Sequence, residues 1–246
     1  MVKGDTILKA LKALIVRGGW AGHDPFETSA IAARELEAEG VTVELADTLD
    51  ALRDQEKLLA LDLIVPVWTM GTIEKEQLQP LLAAVKAGVG LAGWHGGMCD
   101  TFRQATDYQF MTGGQWVAHP GNATASYTVR IGPAGSPITA GLRDFAVTSE
   151  QYYMHIDPGV TVLAHTLVAP GNGFGDPYSA EAQAEVEAGR APGVTMPVVW
   201  TKRFGKGRVY HLTLGHQASV FAIPEALTLM RRGLIWAAEG KSVAGT

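Results

Sequence analysis

The sequence contains a single cysteine, Cys99, among 246 residues. One thiol excludes an intrachain disulfide framework and is typical of a reducing compartment. Only 18% of the residues are charged, and the formal net charge of -5 argues against nucleic acid or an anionic membrane as a partner. No apolar run reaches the roughly 18 residues that span a bilayer, and the N-terminus lacks the apolar core of a signal peptide. We therefore expect a cytoplasmic protein that binds neither nucleic acid nor membrane.

Hydrophobic residues make up 47% of the chain, enough to bury a full core. No polar linker rich in proline and serine divides the sequence, and α/β domains of this length are common. We expect one domain over residues 1–246. An acidic α/β domain with an apolar closing helix commonly self-associates, so a homo-oligomer is expected.

The N-terminal half alternates short apolar runs with helical spacing. Such alternation favours a mainly parallel sheet with right-handed crossovers and helices on both faces, so we predict a doubly wound, flavodoxin-like α/β fold. The predicted strands are 12–17, 41–45, 61–67 and 89–93, and the predicted helices are 26–39 and 74–86.

Beyond Gly113 the sequence becomes rich in strand patterns joined by short glycine and proline turns. The polar segment 169–195 is long for a simple connection, so it is either a mobile lid or a decorated surface loop, with a short helix at 180–188. The predicted strands are 125–131, 145–150, 160–167, 198–204 and 208–214, followed by a closing helix at 224–239.

The most distinctive segment is the run 91–97, Leu-Ala-Gly-Trp-His-Gly-Gly. An apolar strand that enters a glycine-flanked turn raises one side chain above the carboxyl edge of a parallel sheet, and here that side chain is His95. A following helix N-terminus disfavours imidazolium and keeps the ring neutral. His95 therefore suits a general base or a metal ligand better than an acyl carrier.

Three histidines follow predicted strands: His95, His119 and His216. Glu150 ends another predicted strand, and Tyr152 lies two residues further. Ligands of open α/β sheets bind beyond the carboxyl ends of the strands, so these side chains are expected to converge. Each ring alone is equally well explained by packing, and the chain has no short His-x-x-x-His motif, so convergence depends on the fold.

We predict His95, Glu150 and His216 as catalytic residues. If His95, His119, Glu150 and His216 converge, they form a possible set of ligands for Zn, Mn or Fe. Without a metal, the same groups provide an acid and a base for proton transfer on a sugar.

Further candidates line the same region. His23 is ambiguous, whereas Asp24, which precedes a proline, is interpreted as a helix N-cap. Asp100 and Arg103 follow the His95 turn closely enough to contact a substrate, although a cap and a surface cation explain them equally well. Cys99 is interpreted as a buried or idle thiol.

Aromatic residues in the predicted site loops favour a carbohydrate substrate, because a flat ring offers an apolar face to sugar C–H groups. Trp20 is the preferred stacking residue, and Trp94, His119 and Tyr152 are further substrate-binding candidates, with His23, Asp100 and Arg103. Trp116 is interpreted as a core residue. Three other histidines are assigned to structure: His155, His165 and His211.

An ordered series of motifs resembles the ThuA-like family, which is named for trehalose utilisation. The resemblance spans nearly the whole chain and implies a class I glutamine amidotransferase-like fold and a role in the metabolism of disaccharides or 3-keto-sugars. The amidotransferase-like superfamily carries a cysteine where this chain has His95, so no acyl-enzyme is expected there. The motifs are Gly22-His23-Asp24, segments 93–97 and 108–120, Glu150-Gln151-Tyr152, segment 205–209, and Gly215-His216.

The sequence therefore predicts acid/base or metal-assisted chemistry on a small sugar, as a hydrolase, lyase or isomerase. The alternative is a non-catalytic module that binds or senses a sugar. A third possibility, acyl transfer through Cys99, requires a histidine beside its sulfur and a low thiol pKa. Convergence of His95, Glu150 and His216 favours catalysis, whereas histidines that bond only to backbone favour binding alone.

Overall fold

The computed structural model describes residues 10–133, 135–172 and 177–243. The strands are β1 Lys12–Gly19, β2 Thr42–Ala46, β3 Leu63–Thr69, β4 Gly90–Trp94, β5 Gly114–Ala118, β6 Ser126–Ile131, β7 Phe145–Thr148, β8 Tyr153–Ile156, β9 Thr161–Val168, β10 Val194–Phe204 and β11 Gly207–Leu212. The helices are α1 Pro25–Ala38, α2 Gln55–Ala60, α3 Lys75–Ala87, α4 Gly96–Cys99, α5 Thr106–Thr112, α6 Ala180–Glu187, α7 Pro224–Ala238 and α8 Gly240–Val243, with 3-10 turns that include Ala218–Ala222.

A nine-stranded sheet forms the centre, in the order β2-β1-β3-β4-β11-β10-β9-β6-β7. The first five strands of this order are parallel, and the last four are antiparallel to their neighbours. Helices α1 and α7 contribute to the core on one face, and α2, α3 and α5 to the core on the other. The predicted doubly wound, mainly parallel sheet with a β-rich C-terminal half is confirmed.

The predicted elements of the N-terminal half are all present, displaced by one or two residues at their ends. Strands β3 and β4 are buried along nearly their whole length, which explains their continuous apolar sequence. Helix α3 begins with a capping box, in which the Gln77 side chain accepts a hydrogen bond from the Glu74 backbone N–H at 2.9 Å.

Two features of the C-terminal half were not predicted. Strands β5 and β8 form a separate two-stranded antiparallel sheet, so His119, which follows β5, does not leave a strand of the main sheet. Strand β11 returns to the parallel set beside β4 and brings the segment that carries His216 to the edge where His95 lies.

Segment 169–195 is described except for residues 173–176. Its predicted helix is α6, and the Ser179 hydroxyl caps it by accepting from the Ala182 N–H at 3.0 Å. The Asn172 amide oxygen accepts from the Ser179 N–H at 2.8 Å, which ties the two described parts together. Among the described residues, no helix is both long enough and apolar enough to cross a membrane.

Candidate functional site

The site lies at the carboxyl ends of four adjacent parallel strands, β1, β3, β4 and β11. His95 follows β4 with φ 49° and ψ -145°, a strained backbone conformation for a residue other than glycine. Its backbone N–H donates to the Leu212 carbonyl at 2.7 Å, and its side chain is buried. The structure therefore has the raised turn expected from the sequence, with an imidazole at its tip.

The hydrogen bonds of His95 define which ring nitrogen carries a proton. Nδ1 lies 2.7 Å from the Thr213 carbonyl oxygen, which can only accept, so Nδ1 donates. In the neutral ring Nε2 is then bare, yet it lies 3.1 Å from Oε2 of Glu150, a carboxylate oxygen that also only accepts. These opposed lone pairs require a positive charge between them, either a further proton or a metal ion.

Glu150 lies two residues after β7 and is buried. Three histidine nitrogens approach its Oε2: His95 Nε2 at 3.1 Å, His216 Nδ1 at 3.3 Å and His23 Nε2 at 3.9 Å. A tetrahedral shell with metal bonds of about 2.0–2.1 Å has ligand–ligand edges of about 3.3–3.4 Å. The three distances bracket that edge, and the four ligand atoms all lie within 4.8 Å of one another.

His23, ambiguous in the sequence, is brought into this cluster by the loop after β1. Its Nδ1 lies 2.8 Å from the Thr69 hydroxyl oxygen, so Nε2 faces Glu150. A Cβ on Gly96 would lie 2.5 Å from Cε1 of His23, so the ring can occupy this position only because residue 96 is glycine. We name His23, His95, Glu150 and His216 the His/Glu cluster.

The electrostatics favour neutral His23 and His95 rings beside an anionic Glu150. Burial, followed by the neighbouring His95, lowers the pKa of His23 to about 3. Burial also lowers the pKa of His95, against the opposing effect of Glu150. For Glu150, burial disfavours the charge, but His216 and His95 outweigh it and hold the pKa well below its ordinary value. Neutral imidazoles and a carboxylate are the protonation states that bind a metal.

His119 lies on the other side of the carboxylate. Its Nε2 is 3.9 Å from Oε1 of Glu150, and its side chain is 34% exposed, whereas the cluster histidines are buried. His119 is outside the group of ligand atoms that lie within 4.8 Å of one another, and His23 is in it. The set of possible metal ligands therefore contains His23 in place of the expected His119, which follows a strand of the separate two-stranded sheet.

Aromatic rings extend from the cluster to the surface on both sides. The half-exposed Trp20 meets His23 edge-on at 4.7 Å between ring centroids. On the other side Tyr152 stacks on His95 at 4.0 Å, with Trp116 a further 6.4 Å from Tyr152. Trp20 is thus open to solvent beside the cluster, whereas Tyr152, expected among the substrate-binding residues, is a buried core residue that backs His95.

The exposed Arg103 pairs with the buried Asp100 beyond Trp116. The Arg103 Nη2 donates to Asp100 Oδ2 at 2.9 Å, and its Nε donates to Oδ1 at 2.5 Å. The Arg103 guanidinium lies 4.9 Å above the Trp116 ring centroid.

Trp94, expected among the substrate-binding residues, is instead a core residue, because it is 2% exposed and its ring packs against Phe221.

The family model described as trehalose utilisation, ThuA, matches residues 12–237. The chain belongs to the ThuA family. No curated protein matches it. The resemblance that the sequence motifs indicated is therefore confirmed at the level of the family.

Solved structures share the fold of this ThuA chain at low identity. A putative ThuA-like protein from Parabacteroides merdae has a TM-score of 0.71 at 17% identity, over 95% of this chain and 91% of that one. Another from Bacteroides uniformis has a TM-score of 0.73 at 15% identity, over 96% and 95%. A glutamine amidotransferase from Thermotoga maritima has a TM-score of 0.50 at 12% identity, over 97% and 95%.

The only thiol of this ThuA chain is unsuited to the acyl chemistry of amidotransferases. Cys99 lies in α4 with Sγ 3.4 Å from Nδ1 of His211, so a histidine is present beside the sulfur. Burial raises the pKa of the thiol well above its ordinary value and lowers that of His211. Neither thiolate nor imidazolium is favoured, and the prediction of a buried, idle thiol agrees with this geometry.

Asp24 occupies the predicted N-cap position of the helix that follows, but its side chain does not cap that helix. Asp24 does precede Pro25 at the start of α1, but its side chain makes no capping hydrogen bond there. With φ 43° the residue is left-handed, and Oδ2 instead accepts from the Ala218 N–H at 3.1 Å. The backbone conformation turns the carboxylate away from α1.

Two residues that hold the His/Glu cluster were not predicted, namely Thr69 and Gly96. Thr69 ends β3, and its hydroxyl group lies within hydrogen-bond distance of the His23 ring. Its carbonyl oxygen accepts from the Trp20 N–H, and its methyl group lies beside Gly96. The signal was available, because Thr69 is a polar residue at the end of a buried strand.

Proposed function

We propose that this ThuA-family chain is an enzyme that carries out metal-assisted or acid/base chemistry on a disaccharide or 3-keto-sugar. The observation that supports this most directly is the approach of three histidine nitrogens to one carboxylate oxygen, at 3.1, 3.3 and 3.9 Å. Histidines that served only packing would bond to backbone groups, whereas here they face a buried anion. The family description, trehalose utilisation, supports a sugar as the substrate.

The His/Glu cluster would hold one Zn, Mn or Fe ion, since imidazole and carboxylate suit these metals. When bound, such an ion supplies Lewis acidity to a sugar oxygen or to water. The chain's own groups would bind the sugar: Trp20 offers an apolar face, and Arg103 offers hydrogen-bond donors on the opposite rim. His119, the exposed histidine beside Glu150, is placed to exchange a proton with a sugar hydroxyl.

Cysteine-dependent amide transfer is not part of this proposal, because His95 occupies the raised turn and the thiol of Cys99 is buried with a raised pKa. A cytoplasmic location is supported by the single cysteine, which is typical of a reducing compartment. Self-association into a homo-oligomer stays a prediction.

The decisive experiment combines metal analysis with a substrate assay. Purified protein is measured by inductively coupled plasma mass spectrometry before and after chelation, and then reloaded with Zn²⁺, Mn²⁺ or Fe²⁺. Trehalose and 3-keto-trehalose are incubated with each form, and products are followed by NMR. We expect one metal ion per chain, and turnover that requires both the metal and His95.

The matched variant is His95→Ala, which removes one of the ring nitrogens nearest to Glu150. A folded His95→Ala protein that kept full metal content, sugar affinity and turnover would refute the proposal. Sugar binding without any product, in wild-type protein loaded with each metal, would instead support the sensing module.

A further inference from the structure

The hydrogen bond of Asp24 connects two loops of the site that are distant in sequence. Asp24 directly follows His23, and its Oδ2 accepts from the Ala218 N–H at 3.1 Å. Ala218 lies two residues after His216 and begins the 3-10 turn Ala218–Ala222. One side chain therefore joins the loop that carries His23 to the loop that carries His216.

The backbone of Asp24 is arranged for this contact. Its φ of 43° and ψ of 52° are left-handed values that few residues other than glycine adopt, although Asp and Asn tolerate them best. The carboxylate makes no cap for its own helix α1 and instead occupies the N-terminal end of the 3-10 turn at Ala218. Asp24 is thus a capping residue of a turn 194 positions further along the chain.

His216 depends on its loop more than the other cluster histidines do. The Thr213 carbonyl orients the ring of His95, and the Thr69 hydroxyl orients that of His23. By contrast, Nδ1 of His216 is buried and has no hydrogen-bond partner, although it lies 3.3 Å from Glu150 Oε2. The position of this nitrogen therefore depends on the backbone on either side of it, together with the packing of its ring against His23 and His95.

That backbone is held at both ends. On one side Gly215 has φ 108°, and a Cβ there would lie 2.7 Å from the Trp94 ring, so the turn is packed tightly on the core. On the other side the hydrogen bond from Ala218 to Asp24 fixes the start of the 3-10 turn. Loss of the second contact would free the segment that follows His216.

We infer that Asp24 is a positioning residue for His216, which it holds against Glu150 by capping the 3-10 turn that begins at Ala218. The consequence for metal affinity rests on the proposed function. The hydrogen bond between the two loops is independent of that proposal, and its effect can be measured in metal-free protein.

Three variants separate the hydrogen bond from other effects. Asp24→Asn keeps an acceptor oxygen and tolerates the left-handed backbone, whereas Asp24→Gly keeps the backbone and removes the acceptor. Ala218→Pro removes the donor N–H from the opposite end. Proline is favoured at a first helical position, and Gln217 already has the extended φ of -134° and ψ of 163° that a residue before proline requires.

The first measurement is Zn²⁺ affinity, by competition with a chromophoric chelator, together with the absorption spectrum of the Co²⁺-loaded protein. We expect Asp24→Gly and Ala218→Pro each to weaken Zn²⁺ binding about tenfold and to change the Co²⁺ spectrum, in the range found when outer-shell partners of metal ligands are lost. Asp24→Asn should stay within about twofold of wild type. The double variant Asp24→Gly/Ala218→Pro should be no weaker than either single variant, because both break the same bond.

The second measurement is amide hydrogen exchange of residues 215–222 in metal-free protein, which should be faster in Asp24→Gly and Ala218→Pro than in wild type. Unchanged exchange there would overturn the inference, whatever the metal result. A lower melting temperature with unchanged Zn²⁺ affinity would also overturn it, since the role would then be structural only. If wild-type protein bound no Zn²⁺, Mn²⁺ or Fe²⁺, the metal chemistry of the proposed function would be refuted. The exchange data would still show whether Asp24 holds the loop that follows His216.

Discussion

Replacement of Gly96 by alanine should displace His23 from the cluster while leaving its imidazole in the protein. The added Cβ would lie 2.5 Å from Cε1 and 2.7 Å from Nδ1 of His23. Carbon atoms in contact are about 3.5–4.0 Å apart, so the ring must move by about 1 Å. Metal sites tolerate ligand displacements of only about 0.2 Å, so His23 would cease to be a ligand.

The substitution is otherwise mild. Gly96 is not among the glycines with positive φ, so alanine fits its backbone conformation, and the next contact of the added Cβ is with Cγ2 of Thr69 at 3.1 Å. We therefore expect a folded protein whose Zn²⁺ affinity falls by at least about 100-fold, because the loss of a direct ligand should cost no less than the loss of an outer partner of a ligand. Competition titration with a chromophoric chelator measures this, and circular dichroism checks the fold.

Gly97→Ala is the matched control, because its Cβ would face Cα of Val67 at 3.1 Å rather than the ring of His23. In a His23→Ala background, Gly96→Ala should cause no further loss, since the ring it displaces is already absent. A folded Gly96→Ala protein with wild-type Zn²⁺ affinity would refute the assignment of His23 to the metal site.

Cys99 should resist iodoacetamide at neutral pH in folded protein and react once the protein is unfolded, because burial raises its thiol pKa; rapid labelling of native protein, measured by mass spectrometry, would contradict this. Trp20→Ala should weaken trehalose binding about fivefold, the loss expected from about 1 kcal/mol of stacking, whereas Trp20→Phe should retain most of the affinity in calorimetric titrations; equal affinities would remove Trp20 from the sugar subsite. Gly233→Ala should lower the free energy of unfolding in urea by about 1–3 kcal/mol, because its Cβ would lie 2.1 Å from the buried Tyr210 ring; unchanged stability would mean that α7 packs less closely on β11 than the structure indicates.

The parallel half of the sheet was predictable because local signals agree with the fold there. Strands β1, β3 and β4 are continuous apolar runs, since helices cover both faces. The helices between these strands end at glycines, where the helical spacing of apolar residues also ends. Examples are Gly40 with φ 81° and Gly88 with φ 125°. Apolar runs in the sequence mark the buried strands, and glycines mark the ends of the helices, so these elements can be predicted from local sequence.

The two-stranded sheet was not predictable in the same way. Strands β5 and β8 are short, and their pairing joins residues that lie about 40 positions apart, such as Trp116 and Met154. Only the folded chain shows that this sheet brings His119 to the carboxylate of Glu150 from outside the main sheet.

The sequence alone determined which residue types follow the strands, because a turn after a buried strand raises its side chain whatever the rest of the chain does. It thereby identified His95, His216 and Glu150. Tertiary structure decided how those groups face one another: the His23 ring packs over Gly96, His119 lies 3.9 Å from the second carboxylate oxygen of Glu150, and Asp24 caps a distant turn. These outcomes depend on distances of a few ångströms between segments far apart in the chain, and no local pattern encodes such distances.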